Sequence, residues 1–255
     1  SDNPAERVVW ERIRLADPTT GEIPNNIRQK EMIFAKTLPN STAMSKANWK
    51  HRGPYNVGGR TRALAMDVQD ENILFAGGAS GGMFRSTDGG LSWTMTTGNN
   101  QLHNVTCVAQ DTRAGNEDTW YFGSGELTGS SAGGGEAYYQ GNGIYKSVDG
   151  GLSWDSLAVT ATNTNGFDSD FDFIWNVATD PSNDSLDVVY AAVYSAIYRS
   201  EDGGTSWTKV LGGGSAYYTN VEVTSSGVVY ATLSSDGTGK GIWRSTDGQN
   251  FTNIT

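Results

Sequence analysis

Two stretches of the chain hold most of the side chains whose types could do chemistry. Residues 123–143, "GSGELTGSSAGGGEAYYQGNG", carry Glu126, Glu136, Tyr138 and Tyr139. Residues 160–173, "TATNTNGFDSDFDF", carry Asp168, Asp170 and Asp172 beside Phe167 and Phe171. A carboxylate pair cleaves glycosidic bonds when its members stand roughly 5–5.5 Å apart for retention or 6.5–9.5 Å for inversion. Glu126 with Asp168 or Asp172 is the candidate catalytic pair. Carboxylates interleaved with aromatics also suit a sugar, whose faces stack on rings while its hydroxyls take hydrogen bonds. Arg60, Glu126, Glu136, Tyr138, Tyr139, Asp168, Asp170 and Asp172 are therefore the candidate binding residues. The alternating Asp168, Asp170 and Asp172 offer oxygen ligands to Ca²⁺, the one cofactor these residue types suggest; without it no cofactor is expected. The run departs from an EF-hand, with Phe173 where the loop glycine would stand and Thr179 in place of its final glutamate. Set against all of these is the plainer reading that both stretches are solvated loops. On that reading Glu126→Ala would leave stability within about 0.5 kcal/mol.

Other chemistries find little support. His51 and His103 are the only histidines, and neither Cys-x-x-Cys nor His-Glu-x-x-His occurs. "GSSAGGGE" lacks the Lys-Ser/Thr ending of a phosphate-binding loop. Cys107, the single cysteine, sits in the alternating "NVTCVAQ" and reads as a buried, inert thiol. The net charge of −10 is uneven: residues 1–62 sum to +5 and residues 63–255 to −15. An acidic body repels phosphate backbones, so nucleic acid is not an expected partner. No run approaches the ~18 apolar residues of a membrane span, and no insertion is expected.

The elements that must position these residues are announced by a repeat. "STDGGLSWT" from Ser86 returns as "SVDGGLSWD" from Ser147, "SEDGGTSWT" from Ser200 and, altered, "STDGQNFTN" from Ser245. An aromatic and a basic residue precede each copy: Phe84-Arg85, Tyr145-Lys146, Tyr198-Arg199 and Trp243-Arg244. Two further β-like runs stand upstream each time, as in "TRALAMDV" and "NILFAGG". Four short strands per unit make an antiparallel meander, and repeats of this size point to an all-β, β-propeller architecture with blades at about 60–97, 104–159, 174–211 and 219–255. The nonapeptide falls on the hairpin between third and fourth strands. There Asp88, Asp149, Asp202 and Asp247 accept turn N–H groups, helped by Ser86, Ser147, Ser200 and Ser245. Gly90, Gly151 and Gly204 supply positive φ, and Trp93, Trp154 and Trp207 cover the hairpin. The repeat is expected to be a folding joint, and Arg85, Arg199 and Arg244 beside it architectural. In a meander the second-to-third connections share an end with the connections to the next blade. Both long stretches therefore belong to one face, opposite the nonapeptide hairpins.

The pattern Ser-x-Asp-Gly-Gly-x-Ser-Trp resembles the Asp-box, or BNR repeat, of sialidases, xyloglucanase-type glycoside hydrolases and sortilin-like receptors. The opening "RGPYNVGGRTRALAMDV…LFAGGASGGMFRSTDGG" is similar to secreted, glycosyl-hydrolase-like surface proteins of Bacteroidota. The resemblance implies a secreted or cell-surface protein, exported in many relatives by type IX secretion, that meets protein or glycan, with secretion or surface machinery as a further partner. It implies a binding or scaffold module first and a glycoside hydrolase of xyloglucanase-like architecture as the alternative. A sialidase would need three arginines on a substrate carboxylate. Within residues 60–255 only Arg60, Arg62 and Arg113 stand outside the repeated joint, and the Phe-Arg-Ile-Pro motif is missing.

Residues 1–48 form an extension of another kind. Within it "NNIRQKEMIFAKTLP" predicts a short amphipathic helix with Asn26 as N-cap, ended by Pro39. Asn48-Trp49-Lys50 mimics Ser92-Trp93-Thr94 and predicts an outer strand at 49–52 for a closing blade. Because the fourth unit has its own outer strand in "NFTNIT", the natural chain is expected to continue past Thr255 with three to six more blades.

Overall fold

The structure is a computed structural model and describes residues 4–38, 59–102, 104–127, 138–164, 166–214, 218–234 and 239–255. The expected strand at 49–52, and Glu136, lie outside the described residues. The chain divides into two compact units, residues 1–58 with 163–166, and residues 59–162 with 167–255.

The first unit holds two helices, α1 (Pro4–Leu15) and α2 (Ile27–Thr37). The sequence reading did not foresee α1. Its signals were the proline at the first helical position and the arginines Arg12 and Arg14 in the last turn, where the helix dipole favours cations. Helix α2 lies where expected, but Asn26 is not an N-cap of the expected kind: it is left-handed (φ 55°) and its side chain makes no capping bond. The helix also stops before Leu38, whose backbone is already extended, one residue short of the proline. None of the helices among the described residues is long and apolar enough to cross a membrane.

The second unit is four four-stranded antiparallel sheets, each a meander in chain order. Sheet 1 comprises β1 (Thr61–Met66), β2 (Leu74–Gly78), β3 (Gly82–Ser86) and β4 (Thr94–Met95). Sheet 2 follows with β5 (Val105–Gln110), β6 (Trp120–Ser124), β7 (Ile144–Ser147) and β8 (Asp155–Ser156). Sheet 3 has β9 (Ile174–Thr179), β10 (Val189–Val193), β11 (Ala196–Ser200) and β12 (Thr208–Gly212). Sheet 4 has β13 (Tyr218–Val223), β14 (Val229–Ser234), β15 (Gly241–Ser245) and β16 (Thr252–Asn253). The first strands pack side by side in the order β1, β5, β9, β13, so the sheets radiate from an inner row of strands as blades. Apolar residues fill the spaces between blades. Phe75 and Met83 meet Trp120, Phe122 and Trp154 across the first junction. Tyr121 and Ile144 meet Ile174 and Val177 across the second, and Tyr190 and Ile197 meet Val221 and Val229 across the third. Cys107 is buried in the second junction, and burial pushes its thiol up to about 11, so it stays protonated.

Each nonapeptide turns the corner between third and fourth strands through the same bonds. Ser86 Oγ donates to Asp88 Oδ1 (2.7 Å) and accepts the Gly90 N–H (2.9 Å). Ser92 gives its N–H to Asp88 Oδ1 (2.8 Å) and its hydroxyl to Oδ2 (2.6 Å). Gly89 and Gly90 take φ of 68° and 88°, a region side chains with a Cβ avoid. The altered fourth copy keeps the network by substitution of donors: Asn250 Nδ2 reaches Asp247 Oδ2 at 2.8 Å.

Corners also lock each blade to the one before it. Arg85 lies over the Phe75 ring at 5.9 Å and donates to the Gly150 carbonyl of the next corner at 2.9 Å. Lys146 lies over Tyr121 at 5.3 Å and donates to the Gly203 carbonyl at 3.1 Å. Arg199 lies over Tyr190 at 5.9 Å, against the next corner: a Cβ on Gly248 would stand 2.0 Å from the Tyr190 hydroxyl. The basic residue before each of the first three repeats is thus half of a socket for the following corner.

These bonds set an acid limit. Hydrogen bonds from Ser92, then Ser86, hold Asp88 at about 2, below the usual 3.8. For Asp149 and Asp202 burial pushes upward, but the hydrogen bonds from Ser153 and Ser206 and from Ser147 and Ser200 win, again leaving about 2. Asp247 is lowered too, chiefly by Asn250. A carboxyl whose folded pKa is depressed stabilises the fold above its unfolded value and loses that contribution as pH falls through the folded value. Urea midpoints are therefore expected to hold this contribution from pH 7 to about 4 and to lose it between about pH 4 and 2. A midpoint unchanged at pH 2.5 would contradict the corner network.

Candidate functional site

The face opposite the corners carries the candidate residues, and their positions follow from strand ends. First strands begin on this face and second strands end on it. Arg60 and Arg62 therefore stand at the start of β1, Glu126 just past β6, and Trp175 and Tyr218 at the starts of β9 and β13.

The two long connections converge here. Glu126 and Tyr139 exchange both backbone hydrogen bonds, at 2.7 and 2.9 Å, closing the base of the 123–143 loop. Gly141 donates to the Asp172 carbonyl at 2.9 Å, joining that loop to the second one. The approach is so close that a Cβ on Gly125 (φ +91°) would lie 1.8 Å from the Asp172 carbonyl oxygen. Rings cover the seam: Tyr138 meets Phe173 edge-on at 5.8 Å, and Phe167 meets Phe173 at 5.3 Å and Tyr194 at 4.9 Å. Nearby, Trp175 and Tyr218 pair at 5.1 Å. Tyr138, Tyr139, Phe167 and Tyr218 keep about half of their surface in solvent.

The carboxylates do other work than expected. Glu126 is not a solvated loop residue: it is 1% exposed and clamped by two arginines. Arg60 grips it through both terminal nitrogens, Nη1 at 2.8 Å from Oε1 and Nη2 on Oε2. Arg62 Nε stands 3.1 Å from Oε1. A carboxylate so enclosed positions the arginines and is out of a substrate's reach. Asp172 is also buried, because the 3-10 turn Asp170–Asp172 is a capping box. Its Oδ2 accepts the N–H groups of Asp168 (2.9 Å) and Ser169 (3.0 Å). Burial raises its pKa. Asp170 leaves in another direction and takes the Tyr198 hydroxyl (2.9 Å) and Lys209 Nζ (3.1 Å). Asp168, Asp170 and Asp172 therefore do not converge as Ca²⁺ ligands. Among the described residues no three His, Cys, Asp or Glu stand close enough to share a metal ion. Ser169 and Asp172, three apart, were the sequence signal for this cap.

Arg113, the third arginine of the blades outside the repeated joints, lies at the other end of the sheets, after β5. It is a buried strut: Nε and Nη2 hold Asp111 at 2.9 and 2.5 Å, and Nη2 reaches Asp187 at 2.7 Å. Its Nη1 donates to the carbonyls of Asn183 (2.9 Å) and Leu186 (2.8 Å), fastening blade 2 to blade 3. The arginines are separated, which removes the sialidase arrangement.

Solved structures with the same blade arrangement include an ancestral GH74 enzyme, with a TM-score of 0.55 at 22% identity over 77% of this chain. The GH74 xyloglucanase of Xanthomonas campestris superposes with a TM-score of 0.54 at 18% identity, also over 77%. The architecture is a β-propeller. A xyloglucanase of a Paenibacillus species is 24% identical over 99% of the chain. The chain spans only about a quarter to three-tenths of these proteins' lengths, 28% of the Paenibacillus protein and 25% and 30% of the two GH74 structures. No protein-family model matches it.

Proposed function

We propose that this chain is part of a secreted or cell-surface Asp-box propeller that binds glycan through its loop-bearing face. The observation that carries the reading is the pair of half-exposed rings, Tyr138 and Phe167, held on Phe173 over the seam between the two long connections, with half-exposed Tyr139 next in the chain. Rings fixed by neighbouring rings and short backbone bonds lose little entropy on binding, and their faces suit the C–H faces of sugars. Long loops on a rigid scaffold are where propellers place recognition. The same surface could serve a protein contact, which is the outcome if glycans fail.

The second reading is a glycoside hydrolase, favoured by the likeness to xyloglucanases. Against it stand the uses already found for two of the carboxylates: Glu126 is enclosed by arginines, and Asp172 caps a turn. Affinity electrophoresis of the chain through gels containing xyloglucan, pectin or β-glucan separates the readings. The expected result is retardation by at least one polysaccharide, no release of reducing sugar, and at least a tenfold weaker effect (~1.4 kcal/mol) for the Tyr138→Ala/Phe167→Ala pair. Migration unchanged by every polysaccharide would overturn the proposal. Sugar release abolished by Asp168→Asn would replace it with the hydrolase.

A further inference from the structure

We infer that Arg60, Arg62 and Tyr139 form a subsite for a carboxylate-bearing sugar, a uronic acid residue of an acidic glycan. The inference rests on the glycan-binding reading and names its ligand class. Its basis is a charge imbalance. A buried carboxylate needs a cationic partner, and Arg60 alone supplies one with two parallel hydrogen bonds to Glu126. Arg62 is surplus to that need, so two guanidiniums against one carboxylate leave one positive charge at the mouth.

The surplus is accessible. The Arg60 and Arg62 side chains are 38% and 31% exposed, against 1% for Glu126. Arg62 uses only its Nε on Glu126, so Nη1 and Nη2 have no acceptor among the described residues. Those two nitrogens form the planar fork that matches a second carboxylate. Tyr139 sits beside Glu126, the acid both arginines hold, for a topological reason. Residues that exchange both backbone bonds across an antiparallel bridge put their side chains on the same side, roughly 5 Å apart. The ring of Tyr139 therefore flanks the Glu126–arginine cluster, and it is half exposed.

A uronic acid presents both complements at once, a ring face for the tyrosine and a carboxylate on the neighbouring carbon for the fork. Residues 63–255 sum to −15 and repel any chain of charges, so the fork is expected to take a single carboxylate at the mouth and not to track a polyanion. A single carboxylate at the mouth meets mainly the local charge, since at 0.15 M salt screening acts over about 8 Å.

The test is calorimetric titration of the 255-residue chain in 0.15 M NaCl with trigalacturonic acid and with its neutral methyl ester. The acid is expected to bind at least about tenfold more tightly than the ester, and doubling the salt should weaken the acid alone. Arg62→Gln keeps the Arg60–Glu126 pair, so its near-ultraviolet circular dichroism should be unchanged while the preference for the acid disappears. Tyr139→Ala should weaken both ligands. Equal binding of acid and ester, or an Arg62→Gln protein that still prefers the acid, overturns the subsite. Binding of the ester alone overturns the subsite but leaves the glycan reading standing. Binding of neither, together with unchanged migration in the polysaccharide gels, overturns both.

Discussion

Replacing Trp154 with alanine is expected to cost about 3–5 kcal/mol, the largest single-residue loss among the repeat positions. The indole is 3% exposed, wedged between blades 1 and 2. It meets Phe122 edge-on at 4.8 Å and Phe75 at 6.3 Å, and donates from Nε1 to Thr96 Oγ1 at 2.9 Å. Its carbonyl takes the Gln101 side-chain amide as well. Truncation removes two aromatic contacts and one bond, and opens a cavity that rigid neighbours cannot close. The same substitution at Trp93 is the internal control. That ring is 40% exposed and, among the described residues, its Nε1 bonds its own corner, the Gly90 carbonyl at 3.0 Å. Trp93→Ala should cost less than half as much. Urea denaturation of the two variants measures the difference, and equal losses would show that the tryptophans act within their own hairpins only.

Glu126→Ala is expected to cost about 2–4 kcal/mol, below the full penalty for breaking a buried ion pair because both arginines reach water. Removing the carboxylate leaves Arg60 and Arg62 confronting each other without the charge that joins them. The double variant Glu126→Ala/Arg62→Ala should recover part of the loss, since it removes one of the stranded cations, and a thermodynamic cycle reads the coupling directly. A loss within about 0.5 kcal/mol would return Glu126 to the role of an ordinary loop residue.

The contrast between these two residues shows what the sequence made legible. Trp154 belongs to a corner whose bonds run between residues two to four apart, so the corner is written in one short string, whereas the indole's contacts with Phe75 and Thr96 of blade 1 are not. The joining of the two long connections followed from topology, because a meander assigns alternate connections to one end. Glu126 was misread because its partner lies 66 residues upstream. No local pattern around it announces burial. The usable signal was at the other end: Arg60 and Arg62, two apart on an extended segment, point the same way, and two inward cations require an acid. The three aspartates misled for the opposite reason. Their even spacing suggested shared ligation, but a 3-10 turn there sends Asp170 toward Lys209 and turns Asp172 back on its own backbone.

The sockets give the chain a direction during synthesis. Phe75 and Arg85 belong to blade 1, yet they are completed by Gly150, Gly151 and Trp154 of blade 2. Tyr190 waits in the same way for Gly248. A blade leaving the ribosome therefore carries a bare ring until its successor's corner arrives. A pause in translation between two blades would prolong that exposure and invite association with other nascent chains.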